Sequence, residues 1–304
     1  MTKLLFAAVL AAIVTPLPAL SRQAPTTAQV SAEVRMGHIS IVKRGSGSPV
    51  VFIPGLGSPR ASWDGVIAGI EHSHTVYLVQ VNGFGGDAPG ANLKPGILTG
   101  IVDDLDTYLA KEKVGPVRLV GHSMGGLASM LFARAHPARV ERLMIVDALP
   151  YFPVLLARGG AEPTPAQVES IAAMMRDTVV GRFGKPVDPA ATKADVDGLA
   201  IKPASRLQMA KWAALADPRV TAQLLYEDMS TDLRPALAAM KLPITVIMPW
   251  SASGFSKERT EAFYRRQYAG APSIVFVDIP DAGHFVMLDQ PLRFRGELEA
   301  FLKR

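Results

Sequence analysis

Val117-Arg118-Leu119-Val120 runs straight into Gly121-His122-Ser123-Met124-Gly125-Gly126, and apolar Leu127, Met130, Leu131 and Ala135 follow at helical spacing. A β-branched run, a serine flanked by glycines and an amphipathic helix make a G-x-S-x-G sequence in a strand–turn–helix setting. A reversal this tight holds the serine in a strained backbone conformation, and Gly121 and Gly125 leave room where a β-carbon would collide. The turn lifts the Ser123 hydroxyl above the sheet edge. It also leaves the Met124 N–H free at a helix N-terminus, where it can donate to an oxyanion. A phosphate-binding loop is the competing reading. It is set aside because the turn holds no Lys or Arg and its glycine spacing fits neither a P-loop nor a dinucleotide fingerprint.

Outward from this turn, short β-branched runs alternate with longer amphipathic ones. Strands are predicted at residues 34–39, 40–43, 50–53, 75–81, 117–120, 142–146, 244–248 and 273–277, each bounded by Gly, Pro, Asn or Asp. Helices are predicted near 61–70, 95–111, 125–135, 257–268 and 291–303. This alternation gives an α/β fold, a mainly parallel sheet with helices on both faces, and the first two runs form an antiparallel hairpin at one edge. From 150 to 239 no strand pattern occurs, only Ala-, Met- and Leu-rich helical stretches broken by Pro and Gly. So long a stretch is no plain connection and reads as a helical cap or lid. The expected division is an export signal at 1–21, a core at 22–149, the cap at 150–239 and the rest of the core at 240–304.

The chain has 304 residues, 49% hydrophobic and 19% charged, which is too apolar for a disordered chain. The absence of cysteine excludes disulfide scaffolds, Cys-ligated zinc, iron–sulfur clusters and thiol nucleophiles. None of the 6 histidines is spaced as in HExxH, so no metal is expected. A net charge of +5 comes without a dense basic block or an aromatic-interleaved basic stripe, so nucleic acid is not an expected partner. Lys3, the apolar run 4–14 and the small residues ending at Ser21 read as an export signal cleaved after Ser21. The run is shorter than the about 20 apolar residues of a membrane span, so a periplasmic or secreted protein without membrane insertion is expected.

A serine hydroxyl needs a base to take its proton. His284, in Asp281-Ala282-Gly283-His284-Phe285 after the last predicted strand, lies on a glycine-loosened loop at the carboxyl edge of the sheet, where sites form. His122 adjoins the nucleophile and should point away from it. His38, His72, His74 and His136 lie in the hairpin or at helix and strand ends. For the acid that orients the imidazole, the loop after 244–248 offers nothing before Glu258, whereas Met144-Ile145-Val146-Asp147 ends a strand on the same edge. Asp147 is the candidate, with Asp281, Glu258 and Asp228 as rivals. The glycine turn Pro54-Gly55-Leu56-Gly57-Ser58 offers the Leu56 N–H as a second oxyanion donor beside Met124. The glycine-rich turn 82–87 reads as structural.

With PGLGS, NGFGG, GHSMGG, IVDALP and DAGHF in this order, the chain from about Val34 on resembles the α/β-hydrolase superfamily. The resemblance implies a cofactor-free Ser–His–acid hydrolase with its lid after the sixth strand. Ser123 would be the nucleophile, His284 the base, and Leu56 and Met124 the oxyanion donors. Most members carry the acid after the seventh strand, where this chain has Trp250 and Ser251; some carry it after the sixth, which Asp147 matches. A serine at the turn sets the chain apart from epoxide hydrolases and haloalkane dehalogenases, which attack with aspartate. The expected activity is hydrolysis of small-molecule carboxylic esters with an apolar acyl or alcohol part, through an acyl-enzyme. Lactone, amide or carbon–carbon bond cleavage and non-catalytic ligand binding are the alternatives.

Overall fold

The computed structural model describes residues 30–157, 161–252 and 254–304, and the export segment expected at 1–21 lies outside them. Eight strands form one sheet: β1 (Val34–Arg35), β2 (Ile39–Gly45), β3 (Ser48–Ile53), β4 (His74–Val81), β5 (Val117–His122), β6 (Val140–Val146), β7 (Ile244–Trp250) and β8 (Ile274–Pro280). Their order is β1-β2-β4-β3-β5-β6-β7-β8. β1 and β2 pair antiparallel at one edge, β2 runs antiparallel to β4, and every pair from β4 to β8 is parallel.

Strand periodicity divides the apolar residues between two cores. Val51, Ile53, Val79, Leu119 and Ile145 face α2 (Ile97–Lys111), α3 (Met124–Ala135) and α8 (Lys257–Gln267). Val50, Phe52, Leu78, Val120 and Met144 face α1 (Asp64–Ile67), α9 (Val286–Asp289) and α10 (Pro291–Lys303). Burial on both faces is why the central strands read as continuous apolar runs rather than as alternating ones.

Two predicted elements are shorter than expected. The run 34–39 is a strand only at Val34–Arg35, because the Met36 N–H donates to the Ile39 carbonyl at 2.8 Å and turns the chain early. The stretch 61–70 breaks into a 3-10 turn at Arg60–Trp63 and the short α1, and Gly69 at φ +94° stops the helix.

Between β6 and β7 lie α4 (Pro165–Val180), α5 (Pro189–Val196), α6 (Pro203–Leu215) and α7 (Pro218–Ser230). Each opens on a proline, whose missing N–H costs nothing in a first turn. Thr164, Asp188 and Asp217 cap three of them through side-chain oxygens. α7 is bound to the core, since Val220 and Leu224 are fully buried among the residues of α2 and α3. The Glu227 carboxylate accepts from the N–H groups of Gly96, Ile97 and Leu98 at 2.7, 3.1 and 2.8 Å, where the α2 dipole favours negative charge. Among the described residues no helix is long and apolar enough to cross a membrane.

The turn between β5 and α3 is built on close backbone contact. A β-carbon on Gly121 would stand 2.2 Å from the Gly125 carbonyl oxygen, and one on Gly125 would stand 2.3 Å from that of Ile53. Backbone cannot yield as a flexible side chain can. Gly121→Ala should therefore cost at least the upper part of the about 1–3 kcal/mol typical of overpacking. Gly115→Ala, where the new carbon meets nothing within 4 Å, should change stability by less than about 0.5 kcal/mol. Denaturant unfolding of both variants checks this; equal stabilities would refute the tight-turn account.

Candidate active site

Ser123 sits at the junction of β5 and α3 with φ 53° and ψ −126°, a conformation that L-residues rarely adopt. Its neighbours hold it there. The Ser123 N–H donates to the Val146 carbonyl at 3.0 Å, and the Ser123 carbonyl accepts from Gly126 and Leu127 at 2.7 and 3.2 Å. Asp147 ends the adjacent strand β6, also at positive φ (44°), and its N–H donates to the Ile247 carbonyl at 3.0 Å. Aspartate tolerates this region better than most residues do. His284 follows β8 on the loop into α9. All three stand at the carboxyl edge of the sheet, and all three line one cavity of about 740 Å³.

His284 Nδ1 lies 2.6 Å from Asp147 Oδ2, and the Tyr264 hydroxyl donates to Asp147 Oδ1. Burial alone would raise the Asp147 carboxyl, but the charge of His284 and the hydrogen bonds from His284 and Tyr264 outweigh it and hold the group below its usual range. Burial and the neighbouring carboxylate push the Tyr264 phenol well up, so it remains a donor. Of the rivals, Asp281 and Glu258 are exposed, Glu258 in the first turn of α8. Asp228, on α7, lines the same cavity but bonds to neither.

The oxyanion candidates flank Ser123. Met124 is the first residue of α3, so its N–H has no intrahelical acceptor, and the Leu56 N–H has no acceptor among the described residues. Gly55 brings the Leu56 turn against the serine, since a β-carbon there would lie 3.2 Å from Ser123 Cβ. Neither Leu56 nor Met124 belongs to the cavity wall. That wall is largely apolar, with Leu149, Phe152, Leu155, Trp250, Phe255 and Phe263. Among the described residues no group of three or more His, Asp or Glu could hold a metal ion.

Three contacts around the site escape sequence reasoning. His122 points away from the cavity, as expected of the nucleophile's neighbour, but it has a task there. Its Nε2–H donates to the His284 carbonyl at 2.9 Å, and its ring lies 4.6 Å from that of His284 and 4.7 Å from that of Phe285. Burial first, and the charge of His284 second, lower His122 to about 3, so it is neutral at physiological pH. Fully buried Asp289 accepts from the N–H groups of Gly283, Ile201 and Lys202 at 3.0, 2.8 and 3.1 Å, tying the His284 loop to the start of α6. At the C-terminal cap of α8 the Tyr268 hydroxyl donates to the Ala148 carbonyl at 2.8 Å, one turn beyond Tyr264. The i, i+4 spacing of the two tyrosines was the available signal for that pair. Nothing local marks Asp289.

Burial raises the Asp228 carboxyl to about 7, with the charge of His284 opposing. Between the unfolded value of 3.8 and about 7 the folded state therefore binds more protons, so Asp228 makes stability fall as pH rises through that window. Relative to wild type, Asp228→Asn should gain stability from pH 4 to pH 7 and hold that gain above it. Thermal unfolding across pH measures the difference; one that does not change with pH would contradict the buried, unpaired state of this acid.

The alpha/beta hydrolase family matches residues 50–297. An esterase of Mycobacterium tuberculosis is 27% identical over 265 residues, covering 85% of this chain and 84% of that protein. An N-formylmaleamate deformylase of Pseudomonas putida is 23% identical over 81% of this chain and 85% of its own. An uncharacterised protein of M. tuberculosis is 35% identical over 105 residues, and the match spans only 30% of that relative's length. Among solved structures, a thermophilic esterase from Thermogutta terrifontis superposes with a TM-score of 0.71 at 22% identity, covering 90% of this chain and 98% of that one. At that identity the likeness is one of fold.

Proposed function

The chain belongs to the alpha/beta hydrolase family, and from that premise we propose that it is a serine hydrolase of carboxylic esters, with Ser123 as nucleophile, His284 as base and Asp147 as the orienting acid. The observation that carries this reading is the 2.6 Å contact between His284 Nδ1 and Asp147 Oδ2 beside a strained serine in the same cavity. A carboxylate on Nδ1–H leaves Nε2 unprotonated and free to act as base.

In this mechanism His284 Nε2 takes the Ser123 proton as Oγ attacks the acyl carbonyl. Asp147 stabilises the imidazolium that forms. The N–H groups of Leu56 and Met124 hold the oxyanion, a contribution of about 2.7–4 kcal/mol per donor in comparable sites. His284 then returns the proton to the leaving alcohol, and a water attacks the acyl-enzyme by the same route. The apolar wall around Phe152, Trp250 and Phe263 suits an apolar acyl or alcohol part. Helices α4–α7 serve as the cap over this cavity. An acid-free loop after β7 would favour a non-catalytic binding role; the contact of Asp147, after β6, with His284 supports the catalytic reading instead.

Ser123→Ala should abolish hydrolysis of p-nitrophenyl acetate and butyrate without changing the melting temperature, whereas Asp281→Asn and Glu258→Gln should stay within about threefold of wild type. Turnover retained by Ser123→Ala would end the serine assignment, and a large loss in either exposed-acid variant would move the acid away from Asp147.

A further inference from the structure

Asp228 is a buried acid that the mechanism above does not use and that, unlike Asp289, accepts no hydrogen bond from a described residue through its carboxylate. It is 8% exposed and lines the cavity shared by Ser123 and His284. Its carboxyl makes no hydrogen bond or ion pair with any described residue, although its own carbonyl accepts from Thr231. A carboxyl withdrawn from bulk water into a largely apolar cavity wall without a protein partner is costly.

The acid is held rigidly. Leu224, one turn before it, is fully buried, and the adjacent Glu227 is fixed to the α2 N-terminus. The charged groups of the surrounding elements are committed elsewhere. Glu169 of α4 accepts from Tyr226, Asp217 pairs with Arg219, and Arg234 pairs with Asp232 and Glu162. On the cavity wall, Asp147 is taken by His284 and Tyr264, and Arg259 and Arg266 are exposed. Among the described residues, the charge of His284 opposes the effect of burial on Asp228.

We propose that Asp228 is a substrate-binding residue whose carboxylic O–H donates to a second oxygen acceptor of the substrate, an ether, hydroxyl or carbonyl oxygen close to the scissile bond. The inference rests on the ester-hydrolase reading and deepens it, since the favoured substrates are oxygenated esters rather than plain alkyl ones. Burial that raises the carboxyl to about 7 keeps the proton available for donation at neutral and mildly acidic pH. A neutral hydrogen bond of this kind is worth roughly a two- to tenfold preference.

The test uses isosteric pairs: p-nitrophenyl methoxyacetate against the butyrate, and 2-methoxyethyl butyrate against butyl butyrate. The ratio of kcat/KM within each pair is compared between wild type, Asp228→Asn and Asp228→Leu, so that intrinsic reactivity cancels. At pH 6 the oxygenated member of at least one pair should lose roughly two- to tenfold of its advantage in Asp228→Leu and keep most of it in Asp228→Asn, which still donates. In wild type that advantage should fade above about pH 7, and in Asp228→Asn it should not. Ratios unchanged by Asp228→Leu in both pairs would overturn the proposal. So would a wild-type preference for an ammonium-bearing ester that Asp228→Asn loses, which would make Asp228 an ion-pairing anion. If wild type hydrolyses neither pair, the ester reading falls by itself, and calorimetry on Ser123→Ala decides the role of Asp228. Tighter binding of the oxygenated member, lost on adding Asp228→Leu, supports it; equal binding overturns it.

Discussion

The contact on which the site depends is the one between Asp147 and His284 across the carboxyl edge of the sheet. An imidazole on a loop has no fixed orientation of its own. Here Nδ1 is held by Oδ2 of Asp147, while Tyr264 occupies Oδ1, so the carboxylate cannot turn away. On the backbone side, His122 grips the His284 carbonyl and its ring lies against the imidazole. The histidine is thus fixed at both ends, by one residue from the end of β6 and one from the end of β5. The parallel register of those strands brings Ser123 and Asp147 to the same edge, where the Ser123 N–H reaches the Val146 carbonyl.

The helices between β6 and β7 are fastened to this arrangement at several points. Asp289 bridges the His284 loop and the start of α6 through three backbone N–H groups. The turn after β4 holds the joint between α6 and α7, with Gly86 donating to Leu215 at 2.9 Å and Asp217 donating to Gly83 at 2.7 Å. Glu227 anchors α7 to α2. Carboxylates that accept several N–H bonds hold such joints firmly, because loss of any partner leaves a charge or a donor unsatisfied. The face of the cavity that carries Asp228 is therefore as well defined as the face that carries the serine.

How much of this was legible beforehand follows from the range of each interaction. Gly121, Ser123 and Gly125 could be read because their constraint is local: a tight strand–helix reversal admits few residue types. His284 and Asp147 could be read because in a parallel sheet the strand ends mark the functional edge, and both follow strands. The 61–70 helix was overextended because Gly69 reads as a tolerated helix residue until its backbone turns left-handed. Asp289 and the grip of His122 on His284 lay beyond reach, and of Tyr264 only its i, i+4 spacing to Tyr268 could be read. Asp289 reaches residues 87 and 88 positions away, and the His122 contact, across 162 positions, depends on which way one ring faces. Asp228 was visible as an acid but not as an unpaired one, since pairing is a property of its surroundings.

The central claim, that Asp147 orients His284 to activate Ser123, is tested most directly by the rate at which a fluorophosphonate modifies the protein, with the labelled peptide identified by mass spectrometry. Wild type should react stoichiometrically at Ser123, and Asp147→Asn, similar in shape but unable to hold the same tautomer, should react slower by about 10³–10⁴. Equal labelling rates in the two proteins, or labelling at any residue other than Ser123, would contradict the account.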